Sequence, residues 1–262
     1  MKIFIMTDLE GISGINSIDM IKADSDGYTY AKERLMCDVN AAISGLFDGG
    51  ADEVSVFDGH GSGMNFIKEK LDTRVRQITI EEYFNTPIED WNIDGFISIG
   101  CHAMAGTQKA FLDHTQSSVT WFDFKINGVS HGEIGQQAAF FGMTDIPLIM
   151  VSGDEAACLE AKALVPEVIT ACVKTANERN RAECLPVEEA TRLIYEAAKD
   201  AVLNFGKAKP YKISLPVTLD VTFTRNDYCD DAVKRDPSLT RNGRQVTRRI
   251  DKIKRALDTD WF

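Results

Sequence analysis

Four short apolar runs, at residues 2–6, 53–57, 95–99 and 148–151, constrain this chain more than any other feature. Each is rich in Ile, Val or Phe, and each is followed by Gly, Asp or His. Continuous apolar runs of this length fit strands buried on both faces, as in a parallel sheet. Helical patterning lies between some of them. Residues 28–47 carry apolar side chains at three-and-four spacing and stop at Gly49-Gly50, a C-terminal signal. Residues 154–164 and 187–205 are similar, and Pro186 precedes the second. Strand and helix in alternation predict an α/β fold with a layered, mostly parallel sheet flanked by helices.

The middle of the chain differs. Residues 119–126 alternate, Asn127-Gly128 is a hairpin turn, and residues 129–132 return into a helix opening at Glu133. Residues 213–224 alternate again, with a further strand near 245–250 and a short closing helix to Leu257. We therefore expect a core over residues 1–210 and a smaller C-terminal α+β lobe over residues 211–262, with a soft boundary near Pro210. Residues 226–244 are polar and read as a loop or lid.

Composition excludes several classes of partner. With 29 basic and 40 acidic residues the net charge is −11. Nucleic acid and anionic membrane both favour basic surfaces, so neither is expected as a partner. No stretch approaches the ~18 apolar residues of a membrane span. The chain starts without the apolar region and cleavage site of an export signal. Its six cysteines are scattered without a C-x-x-C pair, as expected of reduced thiols in a cytoplasmic protein.

Ligands in open α/β sheets bind at the carboxyl ends of the strands. After the four runs come Thr7-Asp8-Leu9-Glu10, Asp58-Gly59-His60, Gly100-Cys101-His102 and Ser152-Gly153-Asp154. The chain has four histidines, and two of them fall at these ends. An isolated Asp at such a place is commonly a helix cap, and an isolated His a hydrogen-bonded structural residue. Together, imidazoles and carboxylates on one sheet edge suit zinc, manganese or a similar ion. Asp8, leaving the first strand, is the natural bridge between two ions, and Glu10 reaches the same cleft. Glu133 would open a helix with its carboxylate in the helix dipole field. Cys101 is not needed where oxygen and imidazole donors suffice. Asp154 suits a cap on the helix that follows it. His131 reads as a half-exposed residue at a strand end.

Five motifs then stand in a recognisable order: T-D-L-E-G-I-S-G from Thr7, D-G-H-G-S-G-M-N from Asp58, G-C-H-A-M-A-G from Gly100, H-T at His114 and G-E-I-G from Gly132, followed by V-S-G-D-E-A-A from Val151. With these the chain resembles the D-aminopeptidase family of dinuclear zinc peptidases, from Met1 to about Ala190 and more weakly beyond. The resemblance implies two divalent metal ions, zinc above all, on Asp8, Glu10, His60, His102 and Glu133. It implies a catalytic role for His114, which the strand-end argument does not reach. It also implies short peptides or aminoacyl amides as substrates, attacked by metal-activated water, and ring-like homo-oligomers. The spacing from His102 to His114 is one residue longer than the family pattern, and Gln137 stands where an Asn is expected. A deacylase or a peptidoglycan-fragment hydrolase would use the same site. A haloacid-dehalogenase-like phosphatase would explain Asp8, but it wants Asp where Glu10 stands and leaves His60 and His102 without a task. A non-catalytic metal-binding relative would have no need of His114.

Overall fold

The computed structural model describes residues 1–256 and Asp258. The first half runs β1 (Lys2–Thr7), α1 (Asp26–Asp48), β2 (Glu53–Asp58), β3 (Arg76–Ile78), α2 (Ile80–Asn85), β4 (Gly95–Cys101), β5 (Trp121–Ile126), β6 (Val129–Ser130) and α3 (Glu133–Gly142). The second half runs β7 (Leu148–Asp154), α4 (Glu155–Leu164), β8 (Ile169–Glu178), β9 (Arg181–Cys184), α5 (Val187–Leu203), β10 (Val217–Phe223), α6 (Asn226–Arg235), β11 (Thr240–Asn242) and β12 (Gln245–Ile250).

Seven strands form one sheet in the order β3-β2-β1-β4-β7-β8-β9, parallel throughout except for the β8–β9 pair. The four apolar runs are its central strands, as their composition predicts. β1 shows why they need no alternation. Ile3 and Ile5 pack with Val39 and Ile43 of α1 and Ile194 and Ala198 of α5, while Phe4 and Met6 pack toward Phe141 of α3. Both faces are covered, so the positions between Lys2 and Thr7 are all apolar. The second sheet is antiparallel, in the order β11-β12-β10-β5-β6. It joins the 121–130 hairpin to strands beyond residue 217, and its Phe124, Leu219 and Val221 share a core with α3.

Some expectations need correction. Residues 226–244 are no loop: they form α6 and β11. Only Cys229 and Ala232 of α6 are buried, with Tyr228 and Val233 partly buried beside them, so one short seam is apolar and the other six positions are polar or charged. Residues 251–256 contain bends and a turn, and the expected closing helix ends at Leu257, which lies outside the described residues. β8 escapes notice because a lysine interrupts its apolar face. α2 is short, but its start was written in the sequence. Thr79 Oγ1 accepts from Glu82 N at 3.1 Å and Glu82 Oε2 accepts from Thr79 N at 2.8 Å, a reciprocal cap.

Candidate metal centre

The parallel order β2-β1-β4-β7 sets four strand ends side by side. Asp8 and Glu10 follow β1, His60 follows β2, His102 follows β4, and Glu133 is the first residue of α3. The turns after β1 and β4 are pressed together, backbone on backbone. Asp8 N donates to Ile99 O at 2.8 Å and Gly11 N to Gly100 O at 2.7 Å. A Cβ on Gly11 would sit 2.1 Å from Cys101 O, and one on Gly100, whose φ is +81°, would sit 2.3 Å from Asp8 O. Both positions require glycine. Gly11→Ala is therefore expected to force the two turns apart, lowering stability by about 1–3 kcal/mol and weakening metal retention. Thermal unfolding with and without added zinc checks this, and an unchanged midpoint would contradict it. The turn carrying His60 is held by Asp58, whose carboxylate accepts from Asn65 N at 2.6 Å, Asn65 Nδ2 at 2.8 Å and Phe66 N at 3.2 Å.

Two groups of possible metal donors result: Asp8, Glu10 and His60, and His102, His114 and Glu133, with the donor atoms in each within 4.8 Å of one another. His60 Nδ1 lies 3.0 Å from Asp8 Oδ1 and 3.0 Å from Glu10 Oε2. His102 Nε2 lies 3.2 Å from Asp8 Oδ2 and 3.4 Å from Glu133 Oε1. Two donors bound at 2.0–2.1 Å to one tetrahedral zinc would stand about 3.3 Å apart, so these separations fit a shared ion. The two oxygens of Asp8 face different groups, as a bridging carboxylate must. His102 Nε2 and Glu10 Oε2 are buried and lack a hydrogen-bond partner, although they face these neighbours. An orphaned buried lone pair is costly, and a cation between the groups would satisfy both. His102 Nδ1 lies 3.0 Å from Ala103 O, which holds the proton there and leaves Nε2 free as a donor to metal.

The electrostatics agree. Burial alone would raise the Asp8 carboxyl, but the close approach and charge of His102 and His60 hold it well below the carboxylate range. Burial disfavours charge on His60, yet Glu10 and Asp8 push it up to about 11. Burial likewise opposes His102, and Glu133 and Asp8 overcome it, raising it well above the ordinary value. Three enclosed carboxylates thus call for positive charge, which protons or divalent cations can supply.

His114 lies in the loop between β4 and β5. Its ring stacks on His102, with centroids 3.8 Å apart and planes 14° from parallel, and its Nε2 is 3.8 Å from Glu133 Oε1. Nδ1 lies 2.8 Å from Leu112 O, and the ring borders the cleft. Lys109, Leu112 and Gln116 of this loop hold φ of 55°, 52° and 59°. Left-handed backbone at three non-glycine residues costs about 1–3 kcal/mol each and clusters where function demands it. Gln116 N also donates to Glu133 Oε1 at 2.7 Å.

Other sequence candidates are placed elsewhere. Asp154 is a cap: Oδ1 accepts from Ala157 N at 3.0 Å and Oδ2 from Phe111 N at 2.8 Å, leaving it occupied on both oxygens. His131 is 3% exposed, not half exposed, because its ring is held between Val129 O at 2.7 Å and Tyr211 OH at 2.8 Å. Gln137 Oε1 accepts from Ser98 Oγ at 2.9 Å and borders the cleft. The cleft itself encloses about 520 Å³. Sequence reasoning missed its far wall, Ile80, Tyr83 and Phe84 of α2, for which the Thr79–Glu82 cap was the available signal.

Comparisons with known proteins cover nearly the whole chain. A family model described as D-aminopeptidase, of the peptidases, matches residues 1–259. A curated D-aminopeptidase of Bacillus subtilis (strain 168) is 34% identical over 214 residues, covering 80% of this chain and 77% of that one. The solved structure of the Zn-dependent D-aminopeptidase DppA from Bacillus subtilis, described as a self-compartmentalizing protease, superposes with a TM-score of 0.92 at 27% identity. That match covers 99% of this chain and 95% of the other. The resemblance carried by the five motifs is thereby borne out over nearly the whole length, and the chain belongs to the D-aminopeptidase family of peptidases.

Proposed function

We propose that this protein is a zinc-dependent aminopeptidase acting on short peptides or aminoacyl amides, with two zinc ions held by Asp8, Glu10, His60, His102 and Glu133. The observation that carries this reading is the placement of Asp8, with one oxygen toward His60 and the other toward His102. When bound, the ions supply Lewis acidity for the scissile carbonyl and ease deprotonation of the attacking water. The chain supplies the rest. His114 is the proton carrier: its ring stacks on that of His102, and its Nδ1 is committed to Leu112 O. Its Nε2 is free to take a proton from the nucleophile and return it to the leaving amine. Glu133, anchored by Gln116 N, holds a negative charge next to that ring.

Zinc-loaded protein screened against D- and L-aminoacyl amides and dipeptides tests the reading. Hydrolysis that disappears on chelation and returns with zinc supports it; a fully loaded protein that cleaves none of them contradicts it. The apolar wall formed by Phe57, Ile80, Tyr83 and Phe84 suits an apolar substrate side chain. Ile80→Ser is accordingly expected to lower kcat/KM about 10-fold for a leucyl amide while sparing the alanyl amide. Equal losses on both substrates would remove the wall from substrate recognition.

The same reading includes self-association into a ring-like homo-oligomer. The DppA structure is described as self-compartmentalizing, and here Val119, Phe122 and Val129 leave exposed apolar side chains on and beside the β5–β6 hairpin. Light scattering is expected to give a multiple of 29.1 kDa. A stable monomer at micromolar concentration would contradict it. Among the described residues no helix is long and apolar enough to cross a membrane. All six cysteines are unpaired, which suits a reducing compartment, and we place the protein in the cytoplasm.

A further inference from the structure

Lys174 stands in the interior strand β8 with 1% of its surface exposed, flanked by buried Val173 and Ala176. Enclosing an ammonium costs several kcal/mol unless its hydrogen bonds are met. Here two main-chain carbonyls meet them: Nζ donates to Glu10 O at 2.8 Å and to Ile15 O at 2.6 Å. Those carbonyls lie at the two ends of the turn that follows β1. The same ammonium lies 4.8 Å from the centre of the Phe111 ring, a cation–π separation. Phe111 is three residues from His114, and its own N–H is tied to Asp154. One cation therefore touches the turn that carries Glu10 and the loop that carries His114.

Neither contact is replaceable by an apolar side chain. A methionine would fill the volume, yet it would leave the Glu10 carbonyl without a donor and the Ile15 carbonyl with only the Cys184 thiol at 3.4 Å, and the turn would relax to find others. Glu10 is the residue most exposed to that relaxation, since its own carbonyl loses its donor outright. Asp8 and His60 have independent anchors in Ile99 and Asn65.

We propose that Lys174 is a positioning residue of the metal centre: its ammonium fixes the Glu10 turn and, through the Phe111 ring, the His114 loop, and so sets the Asp8–Glu10–His60 group against His114. This rests on reading those side chains as a two-zinc site, and the experiment separates the two claims. Lys174→Met and Lys174→Gln are titrated against buffered free zinc beside the parent, with the thermal midpoint of each metal-free protein and kcat of each loaded protein. Lys174→Met is expected to bind one zinc with parental affinity and the other about 10–100-fold more weakly, the usual effect of removing a group that orients a ligand. Lys174→Gln keeps one donor and should fall between. A lowered midpoint with both zinc affinities unchanged would overturn the proposal, leaving Lys174 a purely structural residue. Failure of both variants to fold while the metal-free parent folds would overturn it in the same way. A parent that binds fewer than two zinc ions would overturn the two-zinc reading itself, and the proposal with it.

Discussion

Asp8→Ala is expected to hold less zinc than either His60→Ala or His102→Ala at the same buffered free zinc, and to lose activity accordingly. Each imidazole serves one donor group, whereas the two Asp8 oxygens stand 3.0 Å from His60 Nδ1 and 3.2 Å from His102 Nε2. Deleting a histidine leaves the other group with its carboxylates intact. Deleting Asp8 removes a donor from both groups and the negative charge that both histidines face. Lewis-acid stabilisation is worth several kcal/mol, so kcat should fall by at least about 10³-fold. Metal content measured on all three variants decides the matter. An Asp8→Ala protein that retains zinc as well as the parent would show that Asp8 bridges nothing.

His114→Ala should separate chemistry from metal binding. The His114 ring lies parallel to His102, and its Nδ1 is committed to Leu112 O. That leaves Nε2 poised over the cleft beside Glu133, in a loop whose backbone is held at positive φ in three places. Proton transfer by a placed imidazole contributes about 10²–10⁴ in rate. The variant is expected to keep both zinc ions and the parental thermal midpoint while kcat drops by that factor. Near-parental kcat would discard the role. Loss of metal together with activity would move His114 into the ligand set, beside His102 and Glu133.

Much of this was legible in the chain because the relevant signals are local. A strand buried on both faces is mostly apolar on both, so β1, β2, β4 and β7 announce themselves by runs rich in Ile, Val, Phe or Met, and the residues that follow them must share an edge. That argument reaches Asp8, Glu10, His60 and His102 without any knowledge of pairing order. Glu133 was accessible as the start of a helix after an Asn-Gly hairpin. What stayed hidden depends on contacts between distant segments. His114 sits in a loop whose path is set by Phe111 N on Asp154 and by backbone strain, neither of which has a periodicity, and only family motifs pointed to it. His131 looked exposed because its partner, Tyr211, lies 80 residues away. α6 looked like a loop because its short apolar seam, Tyr228, Cys229, Ala232 and Val233, is set in a segment otherwise rich in charged and polar residues. Lys174 argued against a buried strand at the place where β8 runs, since nothing nearby in sequence discloses that Glu10 and Ile15 would meet its charge.

The central claim is that two groups sharing Asp8 hold two ions in one cleft. Diffraction from zinc-loaded crystals, recorded on both sides of the zinc absorption edge, measures this directly. The account requires two anomalous peaks per chain, one beside Glu10 and His60 and one beside His102 and Glu133, with Asp8 between them. A single peak per chain in a fully active protein, or two peaks that do not both contact Asp8, would contradict it.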